Sequence, residues 1–454
     1  MIFNSLPFII SFVIFVFIYH ESKDKYKILL ILIFSNIMYI SFGIRNLIYI
    51  YLLIVLSFIF HRAIHLKKSK LYLFFGTFFC TVPLLTFKVI NSNSLTTIPS
   101  AWSLAIPLGL SFFTFHAISL IIDTYRNKHD KQYSFLDVSV FIFYFPLLMA
   151  GPIERSYTFF PQLHNLKRLS GANVALGTVI FSGGLLRKSL ANFIGVQSDK
   201  AFLNIENLSG LEIVIGVLSF GLQIYLDFSG YSEMARGLSK VLGINITKNF
   251  MRPYFASTIK IFWEKWHISL SSWFRDYLYI PLGGSSKSLN RQNLNVMAVM
   301  LTSALWHGVG INFLIWGLIH ATFIVVENVY RAKLVSKNSR INHFVLLPQK
   351  LVIFCVVNYA WLFFRCPDMK CVATAHHNFW YNFGSLSGIA LPRELILVAL
   401  ILIYLEVKDI YWKDFTTNQF VLGIRMTALT TIEIITSIVL LSAATTSSFI
   451  YFVF

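Results

Sequence analysis

Two histidines stand out as the residues able to move a proton. His267 lies in Trp263-Glu264-Lys265-Trp266-His267-Ile268-Ser269-Leu270-Ser271-Ser272-Trp273-Phe274-Arg275-Asp276-Tyr277, fifteen positions that also hold two acids, two bases and three tryptophans. His307 follows 40 positions later, in Ser303-Ala304-Leu305-Trp306-His307-Gly308, inside an apolar run. Imidazole titrates near neutrality, so it can accept a hydroxyl proton and pass it to a leaving group. An ionisable side chain at membrane depth must face a cavity or a partner, which makes His307 a functional candidate. The plainer alternatives are a structural histidine bridging helices at 307, and a solvated histidine on a surface amphipathic helix at 267. No Gly-x-Ser-x-Gly elbow, Walker loop or HExxH pair is present, so neither a serine triad nor a metal site is expected.

If the segment around His267 is one helix, Phe262, Trp266, Ser269, Trp273 and Tyr277 recur at i+3/i+4 spacing and line one face. His267, Leu270 and Phe274 form the neighbouring stripe. Arg275 and Asp276 sit beyond them, before Pro281 and Gly283-Gly284 end the helix. Gln223-Ile224-Tyr225-Leu226-Asp227-Phe228-Ser229-Gly230-Tyr231-Ser232-Glu233 is a third polar cluster, which reads equally as a helix end at headgroup level. The candidate substrate-binding residues are Trp266, Ser269, Trp273, Arg275, Asp276, Trp306 and Asp227. His320 follows His307 by 13 positions. On a continuous helix it would point about 140° away and could share the site only if the helix breaks. His116 reads as packing.

The elements that carry these residues belong to a membrane. Of 454 residues, 56% are hydrophobic, 17% aromatic and 13% charged, against roughly 25% charged in a soluble domain. Long apolar runs exclude a barrel of short alternating strands. They fall near 6–20, 28–43, 46–60, 71–90, 102–122, 138–150, 172–195, 211–226, 296–327, 346–364, 393–407 and 428–454. That gives about ten to twelve membrane segments of an all-α polytopic protein. The run at 138–150 is short, is broken by Pro146 and reads as re-entrant. The first run lacks a basic start and a cleavage site, so it is a helix more than a signal peptide.

The charge of +18 fits basic cytoplasmic loops held on anionic lipid, not nucleic acid. Lys23, Lys25 and Lys27 follow the first helix, Arg62 to Lys70 the third, and Arg126 to Lys131 the fifth. Asn91 to Ser100 has no charge. The N-terminus is therefore expected outside. Beyond about residue 150 the short segments leave topology open. The His267 segment cannot cross, since each charge at a bilayer centre costs about 2.5–3.5 kcal/mol. It must lie at an interface or fold back into a protein-lined cavity. Cys80, Cys355, Cys366 and Cys371 show no paired zinc spacing and read as free thiols. With no repeat or long linker, 1–454 reads as a single membrane domain.

These residues resemble the membrane-bound O-acyltransferases, MBOAT. The stretches that carry the likeness are Ile106–Phe115 (IPLGLSFFTF), Phe145–Arg155 (FPLLMAGPIER), Gly221–Ser232 (GLQIYLDFSGYS), Phe262–Gly284 (FWEKWHISLSSWFRDYLYIPLGG), Leu305–Gly308 (LWHG) and Trp316–Ala321 (WGLIHA). The core motifs cover about 100–330. The branch that O-acetylates alginate or peptidoglycan fits better than the D-alanyl branch, because of Tyr279-Ile280-Pro281-Leu282-Gly283-Gly284. The resemblance implies a ring of helices around a thin core with re-entrant or interfacial helices and a central tunnel, with donor and acceptor reaching the histidine from opposite faces. It makes His307 catalytic and His267 the second polar residue of the site.

The function so implied is O-acetylation of a cell-envelope polysaccharide in the bacterial inner membrane. No cofactor is bound; an acyl thioester, acetyl-CoA or an acyl carrier, is the co-substrate from the cytoplasmic side. The expected partners are the polysaccharide acceptor, the donor or its carrier protein, a periplasmic transferase and membrane lipid. D-alanyl transfer to teichoic acid is the alternative within the class. A transporter or flippase is the alternative outside it, disfavoured because the Trp-His segment has no second copy. A non-catalytic scaffold that docks partner enzymes is a further rival.

Overall fold

The computed structural model describes residues 3–90, 107–128, 131–166, 169–285, 288–334, 343–384, 392–411, 427 and 430–440, and among them there are helices and no strand. The uncharged Asn91–Ser100 stretch lies outside the described residues. Among the described residues six helices are long and apolar enough to cross a bilayer: α3 (Ile44–Leu66), α4 (Lys70–Ile90), α8 (Gly171–Leu203), α9 (Gly210–Val241), α13 (Ile311–Leu334) and α14 (His343–Arg365). The 23 residues of α3 reach about 35 Å at 1.5 Å each, enough for a hydrocarbon core of roughly 30 Å. Shorter apolar helices are α1 (Leu6–Glu21), α5 (Leu110–Tyr125), α6 (Phe135–Ile142) with the turn that follows it, and a last one, α17 (Thr430–Leu440). The protein is thus an all-helical, multi-pass membrane protein.

The chain divides into two compact units, Met1–Phe181 with Tyr231–Lys248, and Ser182–Gly230 with Asn249–Phe454. The first holds α1 to α7, where α2 is Asp24–Ile40 and α7 is Ser156–Leu163. Its core is aromatic: Phe15 stacks on Phe34 at 4.3 Å, and Phe145 meets Phe34 edge-on at 4.9 Å. The stretch expected to be re-entrant is α6, only 8 residues long, followed by a 3₁₀ turn and buried extended backbone through Arg155. Irregular backbone at depth needs partners inside the protein. Phe145 N–H donates to Ser35 Oγ at 3.1 Å, and Glu154 N–H to His116 Nε2 at 3.1 Å. His116 therefore does more than pack.

The second unit contains α10 (Ile259–Lys265), α11 (Ile268–Phe274), α12 (Leu289–His307), α13, α14, α15 (Met369–Tyr381) and α16 (Arg393–Tyr411), with the adjoining parts of α8 and α9. The single run expected at 296–327 is two helices. α12 stops at His307, Gly308 is extended with its N–H on Ala304 O, and α13 begins at Ile311. Asn312 at the start of α13 donates to Phe363 O and Cys366 O, and Arg365 pairs with Asp199 of α8 at 2.9 Å. Cys366 and Cys371, expected as free thiols, form a disulfide across the turn from α14 to α15. Their Cα atoms lie 5.6 Å apart, within bridging range. The turn created by Pro367 and Asp368 brings together two cysteines that sequence spacing alone left unpaired.

Carboxylates tie the membrane helices of this unit to one another. Lys188 of α8 pairs with Asp227 of α9 at 2.6 Å, both nearly inaccessible. One turn on, a Cβ at Gly230 would stand 2.7 Å from Lys188 N and 2.8 Å from Gly184 O, so the two helices touch through small residues. Tyr225 donates to Glu406 of α16, and Ser182 to Glu433 of α17 at 2.8 Å.

Breaking a buried ion pair costs about 3–5 kcal/mol, whereas replacing both partners with apolar residues is near neutral. Lys188→Met or Asp227→Leu alone should therefore lower accumulation and apparent Tm, and the double variant should recover most of both. Acylation measured in the double variant separates a structural Asp227 from one that binds substrate: full activity would remove Asp227 from the site.

Candidate active site around His307

The segment that carries His267 is not the single helix its spacing suggests. It breaks at Trp266–His267 into α10 and α11, and α11 runs into a π-helical turn at Arg275–Tyr279. The cause is Asn249. Its backbone carbonyl takes the Ile268 N–H at 2.9 Å, and its Oδ1 takes the Ser269 N–H at 3.1 Å. His267 is thereby held at φ 44°, ψ 53°, in the left-handed region. The other end of α10 is fixed from α13: Glu327 accepts the Ile259 N–H at 2.6 Å and the Lys260 N–H at 3.3 Å. Thr258 caps the same turn through Ile261 N–H at 3.1 Å. A carboxylate on the exposed N–H groups of a helix start also meets the positive end of its dipole. Neither Asn249 nor Glu327 follows from hydrophobic periodicity; an acid inside the α13 run was the one available signal.

The break changes which side chains face which way. Trp266 turns into an aromatic core with Phe250 (5.1 Å), Phe262 (5.4 Å) and Trp361 (5.1 Å). Ser269 is buried and Trp273 packs on Phe274 and Tyr277. From α11, Ile268, Leu270, Ser271, Ser272 and Phe274 line a cavity of about 460 Å³, together with Arg275, Lys260, Trp263 and the α12 stripe Gln292, Val296, Val299, Met300 and Ser303. Of the seven candidate substrate-binding residues, Arg275 lines this cavity and the other six do not. Asp276 is paired with Arg275 at 2.9 Å, and Asp227 with Lys188.

His307 continues the α12 stripe, one turn beyond Ser303. It is buried at the helix end, with its ring against Trp306 (4.6 Å), Trp316 (5.1 Å) and Phe364 (5.1 Å). The cavity stops short of it. Gly308 permits this enclosure: a Cβ there would lie 2.3 Å from the Phe313 ring. Trp306 is the link between the two histidines, its ring 4.6 Å from His307 and 6.4 Å from His267. His267 also sits edge-on to Phe228 at 4.6 Å. The condition that would bring His320 near is met, because the helix breaks at 308–310: Trp316 contacts both His307 and His320 at 5.1 Å. Trp361 and Phe364, which wall this region with Trp316 of the WGLIHA stretch, carry no distinguishing mark in an aromatic-rich sequence.

Among the described residues no group of three or more His, Cys, Asp or Glu could hold a metal ion. What the arrangement offers is one imidazole at a helix terminus in apolar surroundings, a second nearby, and indole N–H groups between the first and the cavity. Burial presses the His267 imidazole down from 6.5 to about 3, so it works as a neutral hydrogen-bonding group and not as a cation.

The sign of that shift gives a pH test. Below about pH 6.5 the unfolded chain protonates His267 while the folded protein does not, so the stability this residue contributes is complete above 6.5 and declines as pH falls towards 3. The slope in that window is about 1.4 kcal/mol per pH unit. Between pH 7 and pH 5 the wild type should therefore lose more apparent Tm than His267→Gln. Parallel losses would mean that the imidazole is solvated.

The sequence profile of the membrane-bound O-acyltransferase family matches residues 29–376. The chain is 31% identical over 445 residues to the probable alginate O-acetylase AlgI of Pseudomonas aeruginosa, covering 92% of this chain and 84% of that protein. It is 35% identical over 300 residues to the peptidoglycan O-acetyltransferase of Helicobacter pylori, covering 59% and 55%. The teichoic acid D-alanyltransferase of Bacillus subtilis is more distant, 27% identical over 240 residues, covering 49% and 59%. His267, His307 and every element that walls them lie within the matched span. The chain belongs to the membrane-bound O-acyltransferase family and is an acyltransferase that works with an acyl donor as co-substrate.

Proposed function

We propose that this protein O-acetylates a cell-envelope polysaccharide in the bacterial inner membrane, with His307 as general base. The observation that carries the reading is the position of His307: an enclosed imidazole on the continuation of the helix stripe that lines the cavity. The relatives matched over most of the chain are named for alginate, and a shorter match is named for peptidoglycan. Their common element, an acetyl ester on a glycan hydroxyl, is what is carried over. D-alanyl transfer has the weaker support of a shorter match.

Two independent features support one orientation of the second unit. The end where α12 starts and α13 finishes carries Arg291 and Arg331, and Glu327 ties Lys260 of α10 to it, a basic set that favours the cytoplasm. The opposite end carries the Cys366–Cys371 disulfide and the Arg365–Asp199 pair, and disulfides persist in oxidising compartments. The cavity mouth with Lys260 and Arg275 belongs to the basic end, where an anionic thioester such as acetyl-CoA or a carrier-bound acyl group would enter. His307 sits at the disulfide end, beside Phe364, where a glycan or a periplasmic partner transferase would meet it. A hydroxyl deprotonated by His307 attacks the thioester carbon, and the proton leaves with the thiol.

His307→Ala should insert and accumulate but leave the envelope without ester-linked acetyl. Wild-type ester content in cells that make only this variant would remove His307 from catalysis and favour a scaffold role. A membrane-impermeant maleimide should label Cys371, the more accessible of the pair, in intact spheroplasts after reduction. Labelling confined to inverted vesicles would reverse the orientation.

A further inference from the structure

We infer that Trp316 is a second catalytic residue, whose indole N–H receives the thioester carbonyl oxygen as negative charge develops on it beside His307. This deepens the reading of His307 as general base and rests on it. The starting observation is a set of buried nitrogens with nothing to bind. Trp316 Nε1, Trp263 Nε1 and both ring nitrogens of His320 are buried and have no hydrogen-bond partner among the described residues. They form one cluster: His320 lies 5.1 Å from Trp316 and 5.2 Å from Trp263, and the two indoles are 5.7 Å apart. Buried donors without acceptors are rare in folded proteins and ask for a cause.

The position of the cluster supplies that cause. Trp263 is part of the cavity wall, and Trp316 stands perpendicular to the His307 ring at 5.1 Å. The rings that carry these unpaired nitrogens thus form a continuous series of contacts from the cavity wall, through Trp263 and Trp316, to the proposed base. Trp361, in the same aromatic cluster, stacks on Trp316 at 6.2 Å, yet its Nε1 donates to Tyr254 Oη at 3.2 Å. An indole that serves only packing is satisfied here; Trp316 is not. A donor fixed in a dry, apolar site needs no reorganisation when charge forms, which is where such groups have their largest effect on rate.

The step balances without a further reagent. The acceptor hydroxyl oxygen bonds to the thioester carbon while its proton passes to His307, and the C=O π pair moves to oxygen, where Trp316 N–H holds it. The pair then returns, the C–S bond breaks, and the thiolate leaves with the proton from His307. The products are an ester and a thiol.

The test uses inverted membrane vesicles from cells carrying the full envelope machinery, with acetyl-CoA as the donor probe and mass spectrometry of ester-linked acetyl as readout. Rates are taken per amount of inserted protein. Trp316→Phe keeps a ring and removes the N–H, and should lower the maximal rate about 10²–10³-fold with little change in half-saturating acetyl-CoA. Trp316→Tyr, which restores a donor, should retain more rate than Phe. Trp361→Phe removes a satisfied N–H from the same cluster and should keep most of the rate. Equal losses in Trp316→Phe and Trp361→Phe, equal rates of the Phe and Tyr variants, or a wild-type rate in Trp316→Phe would each overturn the inference while leaving His307 in place. Full activity of His307→Ala would instead overturn the reading beneath it.

Discussion

Inside a bilayer no water is at hand for a peptide group, so every bend in the chain has to bring its own hydrogen-bond partners. The site depends on this constraint more than on any single contact. Where α10 gives way to α11, Asn249 receives two backbone N–H groups through its carbonyl and its side chain. Where α10 begins, Glu327 receives two more. Remove either and the segment has no reason to stop being a helix at Trp266, or to start being one at Ile259. The turned His267 and the cavity face of α11 follow from those four bonds.

Aromatic rings then set the dielectric. His307 meets Trp306, Trp316 and Phe364, and His267 meets Phe228 and Trp306. Burial of this kind favours the neutral imidazole at His267, and any charge that forms during reaction is felt strongly by nearby dipoles. The same surroundings explain why so much of the polar chemistry at depth takes the form of carboxylate contacts between helices, as at Asp227, Glu406 and Glu433. A carboxylate at that depth persists only when a donor from another helix meets it.

The membrane class and the helical fold were legible because they depend on composition; the two histidines stood out as ionisable residues in improbable places, and the structure puts Trp306 between them. The course of the chain between them was not. Spacing put Trp266, Ser269 and Trp273 on the functional face, but periodicity presumes an unbroken helix, and the break is imposed by Asn249 some twenty positions earlier. Ile268, Ser271 and Ser272 line the cavity, together with Leu270 and Phe274 of the His267 stripe. Phe364 could not be singled out among forty-five phenylalanines, and Trp316 was visible only as the start of the WGLIHA stretch, with no role attached. Only their contact with His307 distinguishes them. The disulfide was missed for a related reason: five positions of separation mean nothing until a turn folds the two cysteines together.

The pocket that Phe313 fills beside Gly308 also limits how this lineage can drift. With the ring 2.3 Å from where a methyl would stand, any side chain at position 308 requires the Phe313 ring to give way. Phe313 shares a wall with Phe364, which rests on the His307 imidazole. Drift at position 308 is therefore coupled through two rings to the packing of the base, and a residue lost or gained at 313 changes what 308 can accept.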